Sequence, residues 1–329
     1  MITRRSILAA VMSAPAAMRA LGVRAELQSK QLPGKIAFVR NGSIWQWAAG
    51  DASELLKADN ISDPRWSPDG TSLIYVRSGN SFSDLYTFDT TTGIENALTN
   101  NQSQFDVGSI EYAAGSSWVL DPDWSKSGLI AFATDMAGQN APLALWLMTN
   151  IDEQPYQALD PQTEEDIAEI SLSSDGSFAS YTVRVRQGDG SSGTYIAVRD
   201  LNSGVAGPIA DSSGDQFDSA ISPDQQWIAM AIRDPNGTTD LWIVERAPGD
   251  RSRMTRNENA MAPRWSADGQ YLGYIREADF KFQLWAARIA NGKISDPTNI
   301  YDDDGIDSRS GVSWWVGTGL LTPTPTQAG

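Results

Sequence analysis

An eight-residue segment that keeps returning along the chain narrows the fold more than any other feature. Asp63-Pro64-Arg65-Trp66-Ser67-Pro68-Asp69-Gly70 recurs as Asp121-Pro122-Asp123-Trp124-Ser125-Lys126-Ser127-Gly128 and as Glu169-Ile170-Ser171-Leu172-Ser173-Ser174-Asp175-Gly176. Asp218-Ser219-Ala220-Ile221-Ser222-Pro223-Asp224 and Ala262-Pro263-Arg264-Trp265-Ser266-Ala267-Asp268-Gly269 follow, with a worn copy at Gly311-Val312-Ser313-Trp314-Trp315. With Trp66 as the marker, its equivalents Trp124, Leu172, Ile221, Trp265 and Trp314 fall at intervals of 58, 48, 49, 44 and 49 residues. Self-similarity at this period is the mark of one four-stranded propeller blade per repeat.

Each repeat carries the same strand order. Asp-Gly sits between two alternating runs, the second being Thr71 to Val76 or Tyr271 to Ile275, with Asp224-Gln225 in its place before Trp227 to Ile232, and the Asp-Gly dipeptide favours a tight hairpin. A third strand is read at Asp84-Leu85-Tyr86, Leu145-Trp146, Tyr195-Ile196, Asp240-Leu241-Trp242 and Leu284-Trp285, and a short fourth one at Ala97-Leu98-Thr99 and Arg253-Met254-Thr255. Ahead of the first repeat, Lys35 to Val39, Ile44 to Trp47 and Glu54 to Leu56 supply a second, third and fourth strand without a first, whereas the last repeat has a first strand with little behind it. Pairing the two ends predicts five complete blades plus one hybrid, an all-β six-bladed propeller over residues 35–321 that leaves no free sheet edge at its seam.

The Ser-x-Asp-Gly turn, the tryptophan before it and the later Asp-Leu-Tyr or Asp-Leu-Trp together resemble the WD40-like repeats of TolB-type propellers. The resemblance runs from about Lys35 to Leu321 and implies an interaction platform rather than an enzyme. It covers the propeller only, without the N-terminal domain that accompanies the propeller in TolB. Related propellers also form the non-catalytic half of serine peptidases; here the strands give way to Thr322-Pro323-Thr324-Pro325-Thr326, read as a Pro/Thr tail over 322–329.

Composition restricts the chemistry. The 329 residues include no histidine and no cysteine, which removes serine triads, thiolate nucleophiles, disulfides and metal sites built on imidazole or sulfur. A net charge of −16 works against nucleic acid, whose phosphates are met by basic patches. Beyond the N-terminus no apolar run is long enough to span a membrane. Residues 1–25 read as an export signal of twin-arginine type, with Arg4-Arg5, an apolar stretch from Ile7 to Met18 and a small-residue cleavage site at Val23-Arg24-Ala25; residues 26–34 are a linker. Removal of residues 1–25 takes away four arginines and no acid, so the mature charge becomes −20. The expectation is an exported monomer, periplasmic or extracellular, with a protein partner and no cofactor.

Several residues are candidates for a site. Three positions before the marker stand Asp63, Asp121, Glu169 and Asp218, then Ala262 and Gly311. Innermost strands place these acids at one channel mouth, where they either cap backbone N–H groups and pair with Arg65 or Arg264, or bind a cation such as calcium or a basic segment. The same arc leaves a carboxylate-dependent glycoside hydrolase, or a glycan-binding propeller, as the alternative function. Trp66, Trp124, Trp265 and Trp314 read as inter-sheet packing in preference to a sugar-stacking set. Asp69, Asp175, Asp224 and Asp268 read as turn residues, as does Asp302-Asp303-Asp304-Gly305, which lacks the rest of a calcium loop. The insertion Asn100 to Trp118 holds Phe105, Ile110, Tyr112 and Trp118, read as contacts to a partner or as a cover for the channel.

Overall fold

The computed structural model describes residues 32–138, 141–158, 165–186, 192–209, 214–246 and 249–317. The expected signal, most of the linker and the Pro/Thr tail lie outside these residues. Six four-stranded antiparallel sheets make up the molecule. Blade one consists of Ile61–Trp66, Ser72–Ser78, Ser83–Asp89 and Glu95–Ala97, and blade two of Val119–Trp124, Ile130–Thr134, Ala144–Met148 and Tyr156–Gln157. Blade three is Glu165–Leu172, Phe178–Arg186, Ser192–Asp200 and Ala206–Pro208; blade four is Asp215–Ile221, Trp227–Arg233, Thr239–Glu245 and Arg251–Arg253. Blade five, Ala260–Trp265, Tyr271–Ala278, Lys281–Ala290 and Lys293–Asp302, ends in a hairpin of two ten-residue strands, longer than the sequence reading assigned.

Blade six is the hybrid. Val312–Trp315 pairs antiparallel with Lys35–Arg40, setting Trp314 opposite Ile36, and Ser43–Ala48 and Asp51–Leu56 complete the sheet. The chain ends are therefore joined by a strand ladder rather than by a loop.

The core lies between blades, since both faces of every sheet are covered. Alternation along one strand divides its side chains between two neighbours: Ile36 and Phe38 pack with Tyr271, Ile275 and Leu284 of blade five, and Ala37 packs with Ile61, Leu73 and Tyr75 of blade one. The same interdigitation joins blades one to two through Val76 and Phe132, two to three through Leu145 and Tyr181, three to four through Ile196 and Met230, and four to five through Leu241 and Tyr274. Consecutive residues such as Ile74, Tyr75 and Val76 are thereby all fully buried.

The repeated Ser-x-Asp-Gly is a turn unit. Ser67 Oγ donates to Asp69 Oδ1 at 2.6 Å, Thr71 N donates to the same oxygen at 2.9 Å, and Ser72 N donates to Ser67 Oγ at 3.0 Å. Equivalent bonds recur around Ser173 and Asp175, Ser222 and Asp224, and Ser266 and Asp268. Gly70, at φ +72°, also lies under the Trp315 indole, where a Cβ would approach ring carbon to 2.3 Å. These turns all lie on one face of the ring, because the innermost strands run through the channel in the same direction and the turns follow their C-terminal ends.

Candidate functional site

The innermost strands of blades one to five each carry a bulge, with register shifts at Ser62/Arg65, Leu120/Asp123, Ala168/Ser171, Phe217/Ala220 and Met261/Arg264, whereas Val312–Trp315 of blade six pairs without one. The bulged residue is the one three before the marker. Asp63, Asp121, Glu169, Asp218 and Ala262 have φ of 53°, 51°, 54°, 54° and 52°, and Gly311 occupies the matching place at 60°. Bulges re-aim a side chain and twist the strand. Here they turn the carboxylates along the ring toward the next blade: Glu169 N donates to Asp121 Oδ2, Asp218 N to Glu169 Oε2 and Ala262 N to Asp218 Oδ2, each at 2.9 Å. Three of the acids thus strap one inner strand to the following one.

The four acids converge, as their common position in the repeat implies, and line a cavity of about 840 Å³. Asp215 and Asp307 join them, with Arg184, Arg233 and Arg309 as the cations of this mouth. Burial first, and the charge of Asp121 second, raise the Asp63 carboxyl to about 7, against the opposing pull of Arg65. Asp218 is raised by burial and then by Glu169. The sequence reading did not include Arg184 and Arg233, although a signal was present: an arginine stands eleven or twelve residues after the marker at Arg77, Arg184, Arg233 and Arg276.

Arg65 and Arg264 are not part of that lining. They line the opposite mouth, a cavity of about 400 Å³ walled by Trp66, Trp124, Trp265 and Trp314 and bordered by the Ser-x-Asp-Gly turns. Arg65 Nη1 donates to Pro64 O at 2.9 Å and to Ser310 O at 3.2 Å, and Arg264 Nη1 donates to Ser219 O at 2.8 Å. At the equivalent position of other blades, Asp123, Ser171 and Ser313 accept the N–H of the next marker, from Leu172, Ile221 and Trp66 respectively, at 2.7, 3.1 and 3.0 Å. The channel therefore has two rings of straps between blades, one near each mouth. The marker tryptophans pack and line at once: Trp66 and Trp314 are 5 % exposed, while Trp124 and Trp265 are half-buried.

The insertion contains a short helix, α1 (Ile110–Ala114), which the sequence reading took for loop; Ser109 Oγ caps it by accepting from Tyr112 N at 2.9 Å. Its aromatic residues separate. Tyr112 is buried and anchors the insertion, so it is not available to a partner, whereas Phe105, Val107, Ile110 and Trp118 are 61, 63, 84 and 37 % exposed. The insertion enters blade two at Val119, ahead of Asp121, which puts it on the acidic face of the ring.

The Asp302 to Gly305 turn is held in the fold rather than open to an ion. Arg40 Nη2 lies 2.7 Å from Asp303 Oδ2, Lys281 Nζ lies 3.3 Å from Asp304 Oδ1, and Asn41 N donates to Gly305 O at 2.8 Å, closing the turn onto blade six. Among the described residues no group of three or more carboxylates is placed to hold a metal ion, and no helix is long and apolar enough to cross a membrane.

No family model matches the chain. A curated relative, the uncharacterized peptidase YuxL of Bacillus subtilis, is 25 % identical over 232 residues, which is 59 % of this chain and 33 % of that protein; the chain spans about a third of its relative. Among solved structures, a TolB of Agrobacterium tumefaciens superposes with a TM-score of 0.61 at 17 % identity, covering 86 % of this chain and 94 % of the other. TolB of Acinetobacter baumannii gives 0.59 at 16 % identity over 85 % of this chain, and the match spans 65 % of that structure. The chain has the six-bladed propeller fold of the TolB propeller domains.

Proposed function

We propose that this chain is an exported, non-catalytic propeller that binds a protein partner on the face carrying the acidic mouth and the insertion. The exposed apolar set Phe105, Val107, Ile110 and Trp118 carries the reading, because large apolar side chains gathered on one surface segment mark an interaction surface more often than chance exposure does. The neighbouring mouth adds electrostatics: six acidic side chains, those of Asp63 and Asp218 with raised carboxyls, stand against three arginines and favour a partner with a basic segment. The strapping of Asp121, Glu169 and Asp218 to backbone N–H groups supports a structural duty for these acids over catalysis.

The test uses mature chain immobilised and challenged with an envelope extract, followed by the purified captured protein. F105S/I110S is expected to weaken binding at least tenfold and W124F to leave it unchanged. Undiminished binding by F105S/I110S would overturn the reading.

Asp63 favours a second reading. A carboxyl held protonated near neutrality beside the Asp121 carboxylate is the pairing that glycoside hydrolysis uses. Turnover of a glycoside panel that disappears in D63N would establish it, and an inactive wild-type chain would remove it.

A further inference from the structure

The tryptophan-walled mouth carries a set of donors that the fold leaves unused. Arg65 Nε, Arg264 Nε, Trp66 Nε1 and Trp124 Nε1 are buried without a hydrogen-bond partner, and all four residues line the same cavity of about 400 Å³. Arg65 is only 5 % exposed, and the carboxylate paired with its Nε, Asp123 Oδ1, stands at 3.8 Å, beyond hydrogen-bond reach. The other two indoles of the ring are satisfied, Trp265 Nε1 by Ala220 O at 3.0 Å and Trp314 Nε1 by Pro33 O at 2.9 Å. Trp47 Nε1, Trp146 Nε1 and Arg276 Nε are open as well, but they lie outside this cavity; what sets the mouth apart is that two guanidinium groups and two indoles with open donors line one space.

The two arginines are not demanded by the strand. Asp, Ser, Ala and Ser occupy the same position at Asp123, Ser171, Ala220 and Ser313, where the first, second and fourth serve the ring by accepting a backbone N–H. Replacing that acceptor by guanidinium in two blades removes a strap and puts like charges into one channel, close enough that Arg264 acts on Arg65. Buried cations with open donors are costly unless an anion meets them. Such a site, with planar guanidinium forks and indole faces for walls, fits a carboxylate carried on a ring-sized body. Among the lining residues Arg65, Arg264 and Lys126 face Asp69 and Asp123, an excess of one positive charge that Asp63 and Asp121 temper from beyond the cavity, which matches a monocarboxylate better than a phosphate dianion. The volume is within the usual range of small-ligand pockets.

We propose that this mouth is a binding site for a small carboxylate, with Arg65 and Arg264 holding the charged group, Trp66 and Trp124 donating from their indole nitrogens, and the tryptophan faces stacking on the body of the ligand. A sugar acid and the C-terminal carboxylate of a peptide share this chemistry. The site is separate from the acidic face, so its failure and the failure of the protein-binding reading are independent.

Calorimetry and tryptophan fluorescence on the mature chain would compare D-glucuronate with D-glucose, and acetyl-Gly-Phe as the free acid with its C-terminal amide. The expected result is that at least one acid binds tenfold or more tightly than its neutral counterpart and that R264Q and R65Q each weaken it at least tenfold. Which acid binds identifies the source. Trp124→Phe keeps the wall and deletes one donor; it is expected to weaken binding severalfold and carries the test if the arginine variants do not fold. Binding of neither acid, equal binding of acid and neutral probe, or undiminished affinity in the folded variants overturns the proposal.

Discussion

Asp63 shows how one residue position can serve backbone, electrostatics and ring assembly together. Its φ of 53° lies in the left-handed region, where Asp and Asn are tolerated better than most residues and Ala, as at Ala262, is strained. Burial and Asp121 raise its carboxyl to about 7. The folded chain then holds a proton that the unfolded chain releases near pH 4, so through that window the folded state binds more protons and stability falls as pH rises. Asp63→Asn suits the same backbone and cannot ionise. D63N is expected to be more stable than wild type at pH 8, on the order of 1–3 kcal/mol, with the difference fading toward pH 4. Urea unfolding at pH 4, 6 and 8 checks this; a constant difference would mean that the Asp63 carboxyl titrates alike in the folded and the unfolded chain. The acids at 63, 121, 169 and 218 were legible as a set because they share a place in the repeat. Their partners were not, since each strap joins residues 44 to 49 positions apart that only the neighbouring blade brings together.

At the scale of elements, the recurring turn explains why the repeat is visible at all. Ser and Asp side chains satisfy backbone N–H groups locally, so the pair recurs where the first two strands meet in blades one, three, four and five. Asp268→Ala removes acceptance from Ser266 Oγ and Gln270 N and is expected to cost about 1–2 kcal/mol. Blade two offers a comparison, because Ser127 replaces the aspartate and makes a single bond with Ser125 Oγ; Ser127→Ala should cost less than half as much by denaturant titration. Equal costs would show that neither the charge of the aspartate nor its second hydrogen bond stabilises the turn. Helix α1 escaped the sequence reading for the opposite reason. Five residues are too few for a helical period, and the element exists because Ser109 caps it and Tyr112 anchors it from below.

For the whole molecule, the critical joint is the seam. Val312–Trp315 is held by Lys35–Arg40 along one edge, by the Trp314 ring stacked on Tyr271 at 5.6 Å across the blade five interface, and by the Arg40 to Asp303 ion pair at its rim. Because the two halves of this sheet come from opposite ends of the chain, its loss opens the ring. Trp314→Ala is expected to cost about 3–5 kcal/mol and to bring amide exchange of residues 35–40 up to the rate of the weakest blade. Exchange mass spectrometry measures this. Continued strong protection of 35–40 in the variant would show that the ring stays closed without this side chain.

The repeat, read as sequence, determined the fold, the number of blades and the hybrid closure, because turn chemistry and two-residue alternation are local properties that each copy states again. Tertiary structure decided where the candidate residues act. Acids and arginines two residues apart in one inner strand are divided between opposite mouths, since the strand runs along the channel and the left-handed bulge turns each carboxylate toward the next blade. Which arginine and indole donors are left open likewise depends on neighbours contributed by other blades, and no spacing within a single repeat encodes them.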